Sequence, residues 1–158
     1  MEQILHESIS GNKLYIMRGL PGSGKSRLIK KYLTDNIYST DDFFMEGGIY
    51  VFDYDKLEEA HQWNQERVKG ALIEGFLKVG VDNTNACAWE IRPYVEFGLE
   101  NDYSISLFEP DTSHKWDLLK LVQINSHRVP LKSIQKMMER YEHNLTLNQI
   151  LEAERPLR

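Results

Sequence analysis

The chain has 158 residues, 41% hydrophobic and 27% charged, the balance of a globular protein with one sizeable core. Its formal net charge of −5, from 19 basic and 24 acidic residues, excludes a tight, sequence-indifferent nucleic-acid coat but leaves room for a local basic groove. The single cysteine, Cys87, excludes an internal disulfide, and no apolar run reaches the ~18 residues of a membrane span. An intracellular protein is expected, cytoplasmic or nuclear, with no membrane partner.

Met1 to Asn12 is polar and ends in Gly11-Asn12, which predicts a loose arm or a short strand. Leu14 to Arg18 is apolar enough for a buried strand. It runs straight into Gly19-Leu20-Pro21-Gly22-Ser23-Gly24-Lys25-Ser26, a full G-x-x-x-x-G-K-[ST] loop, followed by a helical pattern from about Lys25 to Thr34. Strand, loop and helix together are the context this phosphate-binding motif requires. The glycines let successive backbone N–H groups point inward, and a helix N-terminus adds partial positive charge. Binding of a nucleoside triphosphate is expected, with Pro21, Gly22, Ser23, Gly24, Lys25 and Ser26 around the phosphates. Lys25 would reach the β- and γ-phosphates, and the Ser26 hydroxyl would meet Mg²⁺.

Asn36 to Thr40 is β-rich and stops at Asp41-Asp42, a second parallel strand. Phe43 to Tyr54, aromatic and interrupted by Gly47-Gly48, reads as a packed loop. A long helix then begins at Asp55, where Asp55 and Glu58 resemble a capping box. Its stripe runs through Leu57, His61, Asn64, Val68, Leu72 and Phe76. Val79 to Val81 predicts a strand despite Gly80, ending in Asp82-Asn83-Thr84-Asn85. A helix within Trp89 to Leu99 must place Pro93 in its first turn or kink there. Tyr103 to Phe108 is a fourth strand, and helices fit His114 to Ile124 and Leu131 to Glu142. Strands alternating with helices argue an α/β fold, a parallel sheet of four or five strands in three layers.

Ligands bind such sheets beyond the carboxyl ends of the strands. Asp41, Asp42 and Asp82 should therefore lie beside the phosphate loop. A carboxylate there holds Mg²⁺ through water or accepts a proton from an attacking hydroxyl; the plainer role is to cap a turn. His61 and Asn64 interrupt an apolar stripe. They either bond a nearby loop carbonyl or face an acceptor cleft, orienting Asp41 or a substrate. Phe43, Phe44, Tyr50, Phe52 and Trp63 serve core packing or stack on a base. No close metal-ligand spacing supports zinc.

Several ordered stretches share one resemblance. They are Arg18 to Ser26, Ser39-Thr40-Asp41-Asp42-Phe43-Phe44, Glu59 to Gln65, Val81 to Asn85, Trp89-Glu90, Pro93-Tyr94, Glu109 to Thr112 and Arg140 to His143. Together the chain resembles the polynucleotide 5′-kinase branch of P-loop kinases, and most of all the kinase domain of the NEDD-binding protein 2-like group, over about residues 14–155. The resemblance implies one P-loop kinase domain across 1–158, with a small helical lid near 111–130. It also implies Mg²⁺-dependent transfer of the ATP γ-phosphate to a hydroxyl, the 5′-OH end of DNA or RNA being the family's acceptor. By position, Asp41 would be the general base and Arg128 the lid arginine, with Lys25 the third catalytic group. Ser26, Asp41 and Asp82 would serve the metal; Asp42, His61, Asn64, Asn83, Thr84 and Asn85 would line the acceptor side. Phage members carry an arginine where Phe44 stands, so the resemblance does not carry over their grip on the acceptor. Two alternatives stay open: a kinase of nucleosides or other small metabolites, and a nucleotide-dependent binding module with little turnover.

Overall fold

The structure, a computed structural model, describes residues 1–157; Arg158, the last residue of the expected domain, lies outside the described residues. In chain order the elements are β1 (Glu2–His6), β2 (Lys13–Met17), α1 (Lys25–Ile29), β3 (Ile37–Tyr38) and a 3-10 turn over Thr40–Phe44. A hairpin of β4 (Met45–Glu46) and β5 (Ile49–Tyr50) and a second such turn (Tyr54–Lys56) lead into α2 (Leu57–Glu74). Then come β6 (Lys78–Asp82), α3 (Ala88–Glu100), β7 (Ser104–Phe108), α4 (Leu118–Ile124), α5 (Leu131–Arg140) and α6 (Leu147–Glu152).

Five strands form one sheet in the order β1-β7-β2-β6-β3, parallel throughout except for β1, which pairs antiparallel with β7. The polar arm is thus a short edge strand, tied down by the Gln3 amide donating to the Leu145 carbonyl at 2.7 Å. The side-chain period of two assigns the faces. Leu14 and Ile16 point to the core shared with α2, α3 and α6, whereas Tyr15 and Met17 meet Ile29 and Leu33 on the opposite face. Gly80 is what lets that second layer lie close. A Cβ there would stand 2.5 Å from Leu33 Cδ1 and 2.8 Å from Ile29 Cδ1, so the glycine belongs to the strand instead of breaking it.

Several boundaries differ from expectation for local reasons. α1 stops at Ile29 because the Lys31 and Tyr32 N–H groups switch to bonds three residues back. Asp53, rather than Asp55, caps the entry to α2, and Gly75 at φ 83 ends it before Phe76. Pro93 lies inside α3, past its first turn. α4 begins at Leu118, where the Asp117 carboxylate accepts from the Lys120 N–H. The expected packed loop contains the β4–β5 hairpin, turned by Gly47-Gly48. α6 was not expected at all, although Thr146 and Gln149 form a capping box whose T-x-x-Q spacing is visible in the sequence. A separate core beyond the strand ends, built on Leu20, Cys87, Leu121, Ile134 and Tyr141, seats α4 and α5 beside the phosphate loop.

Candidate nucleotide and acceptor site

Gly19, Gly22 and Gly24 take φ values of 148, 83 and 108, conformations that L side chains rarely adopt. The loop is strapped from outside. Thr112 donates its hydroxyl to the Ser23 carbonyl at 2.8 Å, and His114 Nε2 bonds the Gly22 carbonyl at 3.1 Å. A Cβ on Gly22 would meet the Leu121 carbonyl at 3.1 Å, so the end of α4 closes one side. The Gly19 N–H donates to the Thr84 carbonyl, fixing the start of the loop to the end of β6. The Ser23 N–H is spent on the Leu20 carbonyl at 3.0 Å, so the loop is braced from inside as well.

Inside the loop, the Lys25 amine donates to the Leu20 carbonyl at 3.2 Å. Burial pushes its pKa down, opposed by the carboxylates of Asp82 and Asp41. The Ser26 hydroxyl donates to Asp82 Oδ2 at 2.9 Å. Burial raises the Asp82 pKa against the pull of Lys25 and of the Ser26 hydrogen bond. Two buried polar atoms here have no partner among the described residues: Ser23 Oγ and Asp82 Oδ1. Unsatisfied buried oxygens are uncommon, and these two flank the positions where a phosphate and a cation would supply partners. The donor set therefore fits a magnesium nucleotide.

Asp41 sits in the turn after β3, whose start is capped by the Ser39 hydroxyl accepting from the Asp41 N–H. Its carboxylate accepts from the Tyr50 hydroxyl at 3.2 Å on one oxygen and faces His127 Nε2 at 3.5 Å on the other. The His127 and Tyr50 rings lie 4.1 Å apart, so hairpin and α4–α5 loop meet over this one carboxylate. The loop is shaped by Asn125, whose amide donates to the Leu121, Val122 and Val129 carbonyls and whose oxygen accepts from the Val129 N–H. Arg128 in that loop has φ 54, is exposed, and makes no hydrogen bond or ion pair among the described residues. Lys25, Ser26, Asp82 and Asp41 come together; Arg128 follows His127 in the chain and is exposed to solvent.

The other expected residues divide into two groups. Asp42 turns away to an ion pair with Arg67 at 3.0 Å, half-exposed. Asn64 is fully buried and donates to the Tyr94 hydroxyl at 3.0 Å while accepting from Arg67 at 2.9 Å. Asn85, also buried, donates to the Met17 carbonyl beneath the loop. These are internal braces. Nearer the cleft, Asn83 Oδ1 accepts from the Thr40 N–H at 2.9 Å, and His61 Nδ1 lies 3.3 Å from the Thr40 hydroxyl. Burial lowers the His61 pKa, countered by Asp41 and reinforced by Arg140 and Arg155. Phe43 and Trp63 pack edge to face, with the Arg67 guanidinium 3.8 Å over the Trp63 ring, so both belong to the α2 packing. Sequence reasoning missed the roles of Tyr50, Thr112, His114 and His127. The Gly47-Gly48 turn, which brings Tyr50 back over Asp41, and the Glu109 to Thr112 stretch, which holds Thr112, left readable signals.

A family model described as "AAA domain" matches residues 14–143, most of the chain. The chain belongs to that family. NEDD4-binding protein 2 from Homo sapiens is 38% identical over 99% of this chain, which bears out the resemblance carried by the motifs. The 2′,3′-cyclic-nucleotide 3′-phosphodiesterase of Rattus norvegicus is 27% identical over 84% of the chain. The chain spans 9% of the human relative and 31% of the rat one. Among solved structures, a chain of the Pnkp1/Rnl/Hen1 complex matches with a TM-score of 0.53 and 27% identity, over 75% of this chain and 39% of that one. The chain thus has a P-loop fold with a mostly parallel five-stranded sheet.

Proposed function

We propose that the protein is a kinase that transfers the γ-phosphate of ATP, with Mg²⁺, to a hydroxyl, and that the acceptor is the 5′-OH end of DNA or RNA. The observation that carries this reading is the held carboxylate of Asp41, accepting from Tyr50 and facing His127 on the same sheet edge as Lys25, Ser26 and Asp82. A protein that only binds nucleotide needs no such carboxylate; a kinase needs one to take the proton from the attacking hydroxyl. A bound magnesium nucleotide would supply the electrophilic γ-phosphorus, with ADP as the leaving group and the cation offsetting the phosphate charge. The N–H groups of Gly22, Gly24, Lys25 and Ser26 and the Lys25 amine would hold phosphate oxygens, and the Ser26 hydroxyl with Asp82 would hold the cation. Arg128, exposed on the Asn125-braced loop beside His127, would turn in from solvent to set its planar fork on the transferring group. The helical lid over 111–130 and the single domain over 1–158 are parts of the same reading, as is an intracellular location.

The test is transfer from γ-labelled ATP to 5′-OH oligonucleotides of DNA and RNA, with free nucleosides as competing acceptors. Label on the 5′ end that disappears in Asp41→Asn and Arg128→Ala supports the reading. Tight, Mg²⁺-dependent ATP binding without any transfer to oligonucleotides would overturn the acceptor.

A further inference from the structure

Between α2 and α3, at the same end of the sheet, lies a groove of about 250 Å³ whose walls include Trp89, Pro93, His61, Gln62, Gln65 and Asn83. Its volume is below the roughly 300–1,000 Å³ of sites for drug-sized ligands and suits one flat heterocycle. Three features specify its ligand. Trp89 offers an aromatic wall, steadied by the Arg155 guanidinium 5.3 Å from its ring centroid. The amides of Gln62 and Gln65 make no hydrogen bond among the described residues, so each still has donors and an acceptor to offer. The charges at the rim are already matched: Arg155 pairs with Glu58 and Arg140 with Glu90, each at 2.9 Å. A phosphate would have to compete with a carboxylate for an arginine that is already paired, whereas an uncharged planar group would leave both pairs intact.

The groove also adjoins the reacting end. His61 lines it and lies 3.3 Å from the hydroxyl of Thr40, the residue before Asp41; Asn83 lines it and accepts from the Thr40 N–H. We propose that this groove seats the nucleobase of the acceptor's 5′-terminal residue, stacked on Trp89 with its edge on Gln62 and Gln65, so that the ribose spans from the groove toward Asp41. The inference rests on the kinase reading for its substrate class. An amide that can both donate and accept suits any base, so the groove selects for an unpaired base and not for its identity. A paired terminal base must first leave its stack, which costs least at a single-stranded end. Single-stranded 5′ ends are therefore preferred over blunt duplex ends.

The experiment compares two oligonucleotides with a 5′-OH, one ordinary and one whose 5′-terminal residue is abasic. Each carries a 3′ fluorophore, so that Kd by anisotropy and KM by phosphate transfer are measured on the same molecules. The wild-type chain should favour the base-bearing end by about tenfold or more in both, the range of one base–aromatic stack. Trp89→Ala should erase that preference while leaving the KM for ATP unchanged, and Trp89→Phe should restore most of it. Gln62→Ala, at an exposed position, should reduce it while leaving Trp89 in place, which covers the case of a misfolded Trp89→Ala protein. Equal affinity for both ends in the wild-type chain would overturn the proposal. So would a preference that survives Trp89→Ala, or a Trp89→Ala defect in the KM for ATP alone, which would assign the groove to the donor's base. If neither oligonucleotide is phosphorylated, the kinase reading fails while the Kd comparison still decides the groove.

Discussion

In the kinase reading, the donor half of the site and the acceptor half are built in opposite ways. The donor half is one contiguous octapeptide, Gly19 to Ser26, whose binding groups are mostly backbone N–H and whose shape follows from three left-handed glycines. The acceptor half is assembled from side chains of separate segments: Asp41 after β3, Tyr50 in the hairpin, His61 on α2, Asn83 after β6 and His127 between α4 and α5. A backbone cradle is specified locally and tolerates change around it. A convergent cradle depends on every segment that delivers a group, so it should fail piecemeal and from a distance.

The largest expected break is Asp41→Asn, which should lower kcat by roughly 10²–10⁴ while leaving the ATP Kd, read by titration calorimetry, where it was. A parallel loss of ATP affinity would mean the two halves are not separable. Next come His127→Ala and Tyr50→Phe. Each frees one side of the Asp41 carboxylate and should cost up to about 100-fold in kcat through misplacement, with the KM for ATP unchanged. An unaltered kcat in both would make the clamp incidental. Gly22→Ala strikes the donor half instead. It forces a side chain onto φ 83 and against the Leu121 carbonyl, and should cost about 1–3 kcal/mol of stability by denaturant titration. Asn64→Ala should cost a similar ~1–3 kcal/mol, because it strips partners from the buried Tyr94 hydroxyl and from Arg67. Smallest is Asp42→Asn. Its pair with Arg67 is half-exposed, so a change below about 1 kcal/mol in thermal unfolding is expected.

The contrast also accounts for what could be read in advance. The phosphate loop, the strand before it and the alternation of strands with helices are local in sequence, and β2, β6 and β7 lie close to where the pattern puts them. Asp41 and Asp82 were legible as strand-end carboxylates beside that loop, and Met17 and Asp82 are indeed register partners. Asn64 and Asn85 carried the same polar signature as a cleft residue, yet both are spent on internal bonds, to the Tyr94 hydroxyl and the Met17 carbonyl. Polarity on an apolar stripe says that a partner exists, not which one. His127 shows the limit from the other side. Nothing about its neighbours in sequence separates it from Arg128, but the Asn125 side chain bends the loop so that the histidine meets Asp41 and the arginine faces solvent.

By itself the sequence determined the glycine-rich loop between β2 and α1, the parallel α/β scheme and the carboxylates at its strand ends. Each of these follows from backbone conformation and side-chain period within a few neighbouring residues. Only the tertiary structure decided the strand order with its antiparallel edge, the hairpin that returns Tyr50 to Asp41, and the groove between α2 and α3. Those depend on packing between segments far apart in the chain, where the partner of a polar group is set by whatever the shared core brings within reach.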